Sequence, residues 1–406
     1  MSDPALYRPR DLYLFVVSRF VSTIAIQVQS VAIGWQIYDM ERTPLSLGLV
    51  GLCQFVPMFL LTLPAGDVTD RFNQRGVYFL AASLQALCSG LFLGLSLMHG
   101  QAVWPFYAVL VLFGAARGFS GPSGQSLLPF LVPPEKLPRS ISVNVSAFNA
   151  AVIAGPAIGG FLYGLGPVAV YALCILGFAA AALIVVRLGG RRFKPEPTRA
   201  TRFERVAEGV RFVRSRPVIF GAISLDLFAV LLGGATALLP IYARDILHVG
   251  PDGLGLLRSA PAAGAFAMGA FLTRWPINRG VGAKMFAAVA LFGLATILFG
   301  ISTSFFLSLL MLFVLGVADL ISVNVRQALI QLSTPDTMRG RVSSVSQLFI
   351  GASNELGEFE SGITAALMGT VPAVVAGGVG TLLVVAVWMK LFPALRQVDS
   401  FRDVAG

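Results

Sequence analysis

Charged side chains are scarce in this sequence. Asp, Glu, Lys and Arg make up 12% of its 406 residues, about half of the share in an average soluble domain. Hydrophobic residues make up 56%, and the mean hydropathy is +0.79. These values exclude a soluble globular domain and predict a protein whose apolar segments face lipid.

Cysteine and histidine are also rare, with three and two residues. Cys53, Cys88 and Cys174 lie in apolar stretches without the spacing of metal ligands, and His99 and His248 are far apart in the sequence. The chain also lacks the G-x-S-x-G, Walker and H-E-x-x-H patterns. We therefore expect no metal, no cofactor and no enzymatic activity, and the missing Walker loop argues against ATP as the driving force.

Long apolar runs dominate the chain, and twelve of them reach the length of about 20 residues that crosses a bilayer as a helix. They lie at residues 12–38, 45–65, 77–97, 103–123, 141–163, 168–187, 218–242, 254–273, 284–303, 305–325, 342–366 and 371–392. Residues 134–137 before the fifth run are similar to residues 335–338 before the eleventh, which indicates two related halves. We predict an all-α membrane protein with two pseudo-symmetric six-helix bundles, at 1–187 and 217–406, joined by a basic linker at 188–216.

The basic residues are unevenly distributed. If the N-terminus faces the cytoplasm, most of the basic residues fall in cytoplasmic segments. The exceptions are three arginines near predicted outer loops, Arg42, Arg244 and Arg258, and two within spans, Arg19 and Arg117. This asymmetry predicts that both termini are cytoplasmic. The net charge of +10 then matches anionic lipid headgroups rather than nucleic acid. In the linker, apolar residues at helical spacing between 203 and 213 predict an amphipathic helix in the inner headgroup region.

A polar loop separates the second and third runs. It extends from Gly66 to Arg75 and includes Asp70 and Arg71. Asp70 can meet a helix N-terminus or a basic side chain, so the loop could hold two helices in one arrangement as a cytoplasmic latch. The alternative is a hydrophilic turn that only obeys the positive-inside rule.

The pattern G-x-x-x-D-R-x-x-x-R of this loop resembles the loop signature of the major facilitator superfamily. In the fifth run, Gly155, Pro156, Gly159 and Gly160 resemble the G-P-x-x-G-G signature of proton-coupled exporters in that superfamily, although close helix packing alone would also explain them. The segments 34–38, 226–230, 238–240 and 334–342 are similar to the bacterial branch that includes enterobactin exporters and macrolide efflux proteins. The resemblance covers nearly the whole chain, and it implies twelve helices and transport by alternating access.

The first, fourth, seventh and tenth predicted spans each contain a charge, which is costly within a membrane and thus a candidate for function. Arg19 and Arg117 belong to the first half, and Asp226 and Asp319 to the second. The resemblance implies that their helices line the central cavity. If the bases of one half meet the acids of the other, protonation of an aspartate would couple opening of the cytoplasmic side to a proton gradient. The alternative is that each charge pairs within its own half or reaches the inner interface.

The eleventh run contains three glutamates. Glu355 and Glu358 are three residues apart and share one helix face, whereas Glu360 points elsewhere. Two neighbouring carboxylates favour protonation of one of them. We interpret Glu355 and Glu358 as a candidate proton site, with contact to a cationic substrate or structural hydrogen bonding as alternatives.

The sequence thus predicts a proton-coupled exporter of a small organic molecule, such as a siderophore, a drug or another amphiphile. We expect a multi-pass monomer in the bacterial inner membrane. An importer or a carrier of a lipid-like substrate is the alternative within transport, and a non-transporting sensor or scaffold is the alternative outside it.

Overall fold

The structure is a computed structural model, and it describes residues 8–98, 102–189 and 202–404. Its α-helices are, in chain order, α1 (Pro9–Glu41), α2 (Pro44–Arg71), α3 (Gln74–Leu97), α4 (Trp104–Leu131), α5 (Leu137–Tyr163), α6 (Pro167–Val186), α7 (Arg202–Ser215), α8 (Pro217–Leu232), α9 (Leu239–Ile241), α10 (Pro251–Arg274), α11 (Val281–Gly300), α12 (Phe305–Leu332), α13 (Asp336–Met368), α14 (Thr370–Leu391) and α15 (Pro393–Arg396). Short 3₁₀ turns lie at Pro134–Lys136, Ala235–Leu238 and Phe401–Val404, and a π-helical turn lies at Tyr242–Ile246. No strand occurs within the described ranges, and the predicted all-α fold class is confirmed.

Proline and asparagine side chains define where several helices begin. Pro9, Pro167 and Pro217 occupy the first positions of α1, α6 and α8, where the missing N–H costs no hydrogen bond. Asn73 caps α3 by accepting a hydrogen bond from the backbone N–H of Arg75 at 3.1 Å. These local signals match the sequence boundaries of the apolar runs to within a few residues.

Ten segments of the described chain are long and apolar enough to cross a membrane. The ten do not include α4 and α13, which have 28 and 33 residues. α4 carries Arg117, and α13 carries the glutamates at positions 355, 358 and 360. Together with them, the helices account for all twelve predicted crossings.

The chain forms two compact units. Unit 1 comprises Met1–Arg42, Leu52–Thr198 and Val249–Ser259, and unit 2 comprises Thr43–Gly51, Arg199–His248 and Ala260–Gly406. The first residues of α2 therefore group with unit 2, and the first residues of α10 group with unit 1. The predicted domain boundaries at 187 and 217 remain predictions.

The amphipathic helix of the linker is α7, and it packs on the start of α13. Val213 is buried in an apolar cluster with Val342 and Val345 of α13. Glu208 of α7 also forms an ion pair with Arg341 of α13 at 2.9 Å. The sequence analysis expected this apolar face to lie among lipid headgroups, but in the structure α13 covers it.

The C-terminal tail is anchored to the start of α11. The carboxylate of Asp399 accepts a hydrogen bond from the N–H of Gly280 at 3.0 Å, and the carbonyls of Asp399 and Val398 accept from the next two N–H groups at 3.2 and 2.9 Å. Hydrogen bonds from Ser400 hold the pKa of Asp403 below its usual range. The contribution of Asp403 to this anchor is therefore present at neutral pH and is lost as the pH falls through that pKa.

Candidate functional site

A buried ion pair lies at the centre of unit 2. Asp226 of α8 pairs with Arg326 of α12, and their side chains are 7% and 2% exposed. The Nε atom of Arg326 has no hydrogen-bond partner among the described residues. Two charges so far from solvent must compensate each other, because either one alone would carry a large desolvation cost.

The sequence analysis did not single out Arg326. It ended the tenth run at residue 325 and assigned Arg326 to the cytoplasmic flank, but α12 continues to Leu332. Leu329 and Ile330, which are 0% and 3% exposed, extend the helical pattern of buried residues past the arginine. That continuation was the signal that could have placed Arg326 inside the helix bundle.

A cavity adjoins the ion pair. It is small, with room for about one water molecule, and part of it is open to the surroundings. Its lining residues come from α8, α11 and α12: Asp226, Ala229, Val230, Val289, Phe292, Ala318, Asp319 and Ser322. The structure therefore brings two of the predicted residues, Asp226 and Asp319, to one cavity within unit 2.

Asp319, Ser322 and Arg326 share one face of α12, because they are separated by three and four residues. The hydroxyl of Ser322 is buried and has no hydrogen-bond partner among the described residues. Asp319 makes no ion pair or hydrogen bond with any residue that the structure describes. This face thus presents unsatisfied polar groups to a cavity whose other walls are mainly apolar.

The helix that carries Asp226 is broken just beyond the cavity. α8 ends at Leu232, and Gly233 and Gly234 lead into the 3₁₀ turn. The last carbonyl groups of α8 have no N–H partner within the helix, and they lie against glycines. A Cβ on Gly357 would lie 2.9 Å from the carbonyl oxygen of Leu231, and Gly377 lies against the carbonyl oxygen of Leu232. Broken membrane helices with free carbonyl ends commonly form the ion sites of transporters.

Arg19 and Arg117 lie in unit 1, where each has neighbours. A Cβ on Gly124 would lie 2.6 Å from the Arg19 guanidinium and 3.2 Å from the Tyr78 ring. The guanidinium of Arg19 therefore packs against the backbone of Gly124, and the ring of Tyr78 lies against the same glycine. Arg117 donates a hydrogen bond to Gln54 Oε1 at 3.3 Å. Since Asp226 also has its partner within its own unit, the pairing of charges between the two halves remains a prediction.

Buried amides and hydroxyls connect α1 with α3 and α6. Ser89 donates to Gln29 Oε1 at 2.5 Å, and Gln36 donates to Ser96 at 2.9 Å while accepting from Tyr171 at 2.7 Å. In the structure Gln29 and Gln36 are used to bridge helices within unit 1.

The fifth-helix motif makes close helix contacts within unit 1. A Cβ on Gly155 would lie 2.5 Å from Gln27 Cβ, and a Cβ on Gly159 would lie 2.9 Å from the Cα and carbonyl oxygen of Val28. Gly160 lies against the backbone at the start of α10, with a Cβ there 2.9 Å from Gly255. Pro156 is buried within α5 between these glycines. The motif therefore lets α5 approach α1 and the start of α10 at backbone distance.

The glutamates of α13 lie close to the break in α8. Glu358 follows Gly357, which touches the freed end of α8, and it is half-buried. Glu360 accepts a hydrogen bond from Thr364 at 2.7 Å. The side chain of Glu355 lies outside the described residues, so the predicted proton site at Glu355 and Glu358 remains a prediction.

The polar loop at 66–75 contributes one described contact of the predicted latch. Arg75 donates to the carbonyl of Leu188 at 2.5 Å and to that of Gly189, just after the end of α6. A Cβ on Gly189 would lie 2.6 Å from the Asp11 carboxylate, so an acid and a base converge there. The contacts of Gly66 and of the side chains of Asp70 and Arg71 lie outside what the structure describes.

Replacing Arg75 by glutamine should lower the free energy of unfolding by about 1 kcal/mol, the range of hydrogen bonds from a partly exposed charged group. The reason is that the carbonyls of Leu188 and Gly189 lose their donor. Thermal unfolding of the purified protein measures this, with Arg139→Gln, an exposed arginine on α5, as the matched control. Equal melting temperatures for the two variants would contradict the role of Arg75 at the end of α6.

Comparison with known proteins identifies the family. The sequence pattern of the family described as "transmembrane secretion effector" matches residues 10–405. The chain belongs to the transmembrane secretion effector family. This family is a branch of the major facilitator superfamily, so the resemblance inferred from the loop and fifth-helix motifs is confirmed.

Curated proteins are similar to the chain over almost its whole length. The enterobactin exporter EntS of Citrobacter koseri is 26% identical over 388 residues, which cover 94% of this chain and 91% of the relative. EntS of Escherichia coli O1:K1 / APEC has the same identity and coverage. Together with the family match, this similarity establishes a multi-pass membrane transporter and not an enzyme.

Solved structures show the same fold. A bacterial homologue of the human lysosomal transporter Spinster aligns with a TM-score of 0.72 and 16% identity, covering 98% of this chain and 97% of its own. A bacterial homologue of the iron transporter ferroportin aligns with a TM-score of 0.70 and 17% identity, covering 96% and 99%. At these identities, the comparison concerns the fold alone.

Proposed function

We propose that this transporter exports a small organic molecule in exchange for protons. The observation that carries the proposal is the cavity of unit 2, which is lined by the carboxylates of Asp226 and Asp319, with the buried Arg326 paired to Asp226. Buried ionisable groups in membrane helices are costly, and they typically serve ion or substrate pathways. A cavity with Asp226 and Asp319 offers a place where a proton can bind and leave during a transport cycle.

The direction and the substrate class are part of the same proposal. The name of the relatives, enterobactin exporter, supports outward transport and a siderophore or a similar amphiphile as substrate. The family's exporters act by alternating access, and we assign this chain to the bacterial inner membrane as a monomer with both termini in the cytoplasm. Glu355 and Glu358 are the second candidate proton site, and Asp70 and Arg71 are the candidate latch.

Transport in proteoliposomes should separate export from import. With an acidic lumen, an antiporter accumulates external substrate as protons leave, whereas a proton symporter requires the opposite gradient. We expect accumulation of at least one of three probes, enterobactin, a macrolide or a cationic dye, only when the lumen is acidic. A protonophore should abolish it.

The controls address the alternatives. Liposomes without protein and liposomes with the Asp226→Asn, Asp319→Asn variant should show no gradient-driven accumulation. Accumulation driven by an acidic exterior would identify an importer and contradict the proposal. No movement of any probe under either gradient would instead support a sensor or scaffold.

A further inference from the structure

We propose that Asp319 is the group that binds and releases the exchanged proton, while Arg326 keeps Asp226 ionised throughout the cycle. This inference rests on the proposed proton coupling and assigns it to one of the two carboxylates at the cavity. It stands on a difference between them: Asp226 has a buried counter-charge, and Asp319 has none among the described residues.

Asp226 cannot readily take up a proton. If it did, the guanidinium of Arg326, which is 2% exposed, would remain charged without a counter-ion. Removing one partner from a buried ion pair costs about 3–5 kcal/mol. Arg326 does not release its own proton at physiological pH, so the pair stays ionised and contributes no net charge to the cavity.

Asp319 faces the opposite conditions. Apart from Asp226 and Ser322, the cavity around it is lined by apolar side chains of α8, α11 and α12, with Val289 and Phe292 as the contribution of α11. The other charged residue in the lining is Asp226 of α8, and Arg326 of α12 compensates its charge. An ionised Asp319 would therefore be an uncompensated charge in an apolar site, and protonation removes its cost.

Two further features favour the neutral form of Asp319. The C-terminal end of α8 at Leu232 lies two residues beyond the lining residue Val230, and helix C-termini carry partial negative charge. Ser322 provides a buried hydroxyl without a partner, and a protonated carboxyl can donate to or accept from such a group. Deprotonation then breaks the O–H bond of Asp319 and transfers the proton to water when the cavity is hydrated.

The cavity thus has two charge states that differ by one proton. It is neutral when Asp319 is protonated and carries one negative charge when Asp319 is ionised. The unpartnered Nε–H of Arg326, on the same face of α12, is a donor that a hydrating water can use. One proton per transport cycle follows from this assignment.

Infrared difference spectroscopy tests the assignment without a substrate. The full-length protein in lipid nanodiscs is measured between acidic and alkaline buffer, and the carbonyl stretching band of a protonated carboxyl is recorded. We expect the wild-type protein to show a band at the high frequency of a buried acid. The band should be absent in Asp319→Asn and shifted in Asp319→Glu.

Three control variants complete the experiment. The first is the double variant Asp226→Asn, Arg326→Gln, which removes the ion pair without changing the net charge. The second is Glu358→Gln, and the third is Asp403→Asn on the exposed tail. The band should remain in all three. A band that persists in Asp319→Asn, or one that disappears in Glu358→Gln, would overturn the assignment.

In proteoliposomes, Asp319→Asn should lose gradient-driven accumulation but keep exchange between equal pools of substrate.

The two proposals can fail separately. A wild-type band that depends on Asp319, combined with no gradient-driven transport, would refute proton-coupled export but not the protonation of Asp319. Gradient-driven transport by Asp319→Asn would refute the role of Asp319 and leave export intact.

Discussion

Replacing Arg326 by methionine should lower the free energy of unfolding by about 3–5 kcal/mol, the largest effect expected of any single substitution in unit 2. The change leaves Asp226 buried among apolar side chains without its counter-charge. Denaturation of the purified protein in detergent measures the loss. Arg274→Met, at an exposed arginine at the end of α10, is the matched control and should change stability by less than about 0.5 kcal/mol.

A second substitution should restore most of the lost stability. The double variant Asp226→Leu, Arg326→Met replaces the ion pair by apolar groups of similar volume, and such replacements are often neutral or stabilising. We expect the double variant to be more stable than Arg326→Met and yet to fail in gradient-driven transport, because the cavity then lacks its fixed charges. A double variant less stable than the single one would show that the two side chains are not energetically coupled.

The sequence predicted the helices better than it predicted the partners of the charges. Apolar runs are local features and predicted the twelve crossings, and the motifs of the polar loop and of the fifth run pointed to the family. Which residue faces Asp226 depends on how α8 and α12 are rotated, and no local pattern encodes that rotation. Arg326 was missed for this reason and because the predicted run ended at residue 325, seven residues before the end of α12 at Leu332.

Two further features required tertiary structure. The seventh run, at 218–242, reads as one continuous span, but α8 ends at Leu232 because Gly233 and Gly234 permit a break that Gly357 and Gly377 accommodate. The valines of α7 correctly predicted an amphipathic helix. Their partner was not predictable, because lipid and the apolar start of α13 satisfy such a face equally well.

Both units contain buried polar atoms that have no hydrogen-bond partner among the described residues. In unit 1, Gln29, Gln36 and Arg117 are bonded to neighbouring side chains, although Gln29 Nε2 has no partner. In unit 2, the unpartnered hydroxyl of Ser322 and the carboxylate of Asp319, which makes no described hydrogen bond or ion pair, line one cavity. Amides and hydroxyls do not gain or lose a proton at neutral pH, whereas a carboxylate can bind and release one. This carboxylate is why we place the proton in unit 2.

Replacing Gly159 by alanine should lower the free energy of unfolding by about 1–3 kcal/mol, the usual cost of overpacking a tight interface. The new Cβ would lie 2.9 Å from the Cα and the carbonyl oxygen of Val28, which are backbone atoms that cannot move without displacing α1. Thermal unfolding in detergent and gradient-driven transport are measured on the same preparation. We expect both the melting temperature and the transport rate to fall.

Gly90→Ala in α3 is the matched control for this substitution. Nothing lies within 4 Å of the position that its Cβ would occupy, and alanine favours a helix over glycine by about 1 kcal/mol. Gly90→Ala should therefore be as stable as the wild type or slightly more stable. If Gly159→Ala matched Gly90→Ala in stability but lost transport, the fifth-helix glycine would act in the transport cycle itself. If both variants were stable and active, close packing of α5 on α1 would not be what this part of the motif provides.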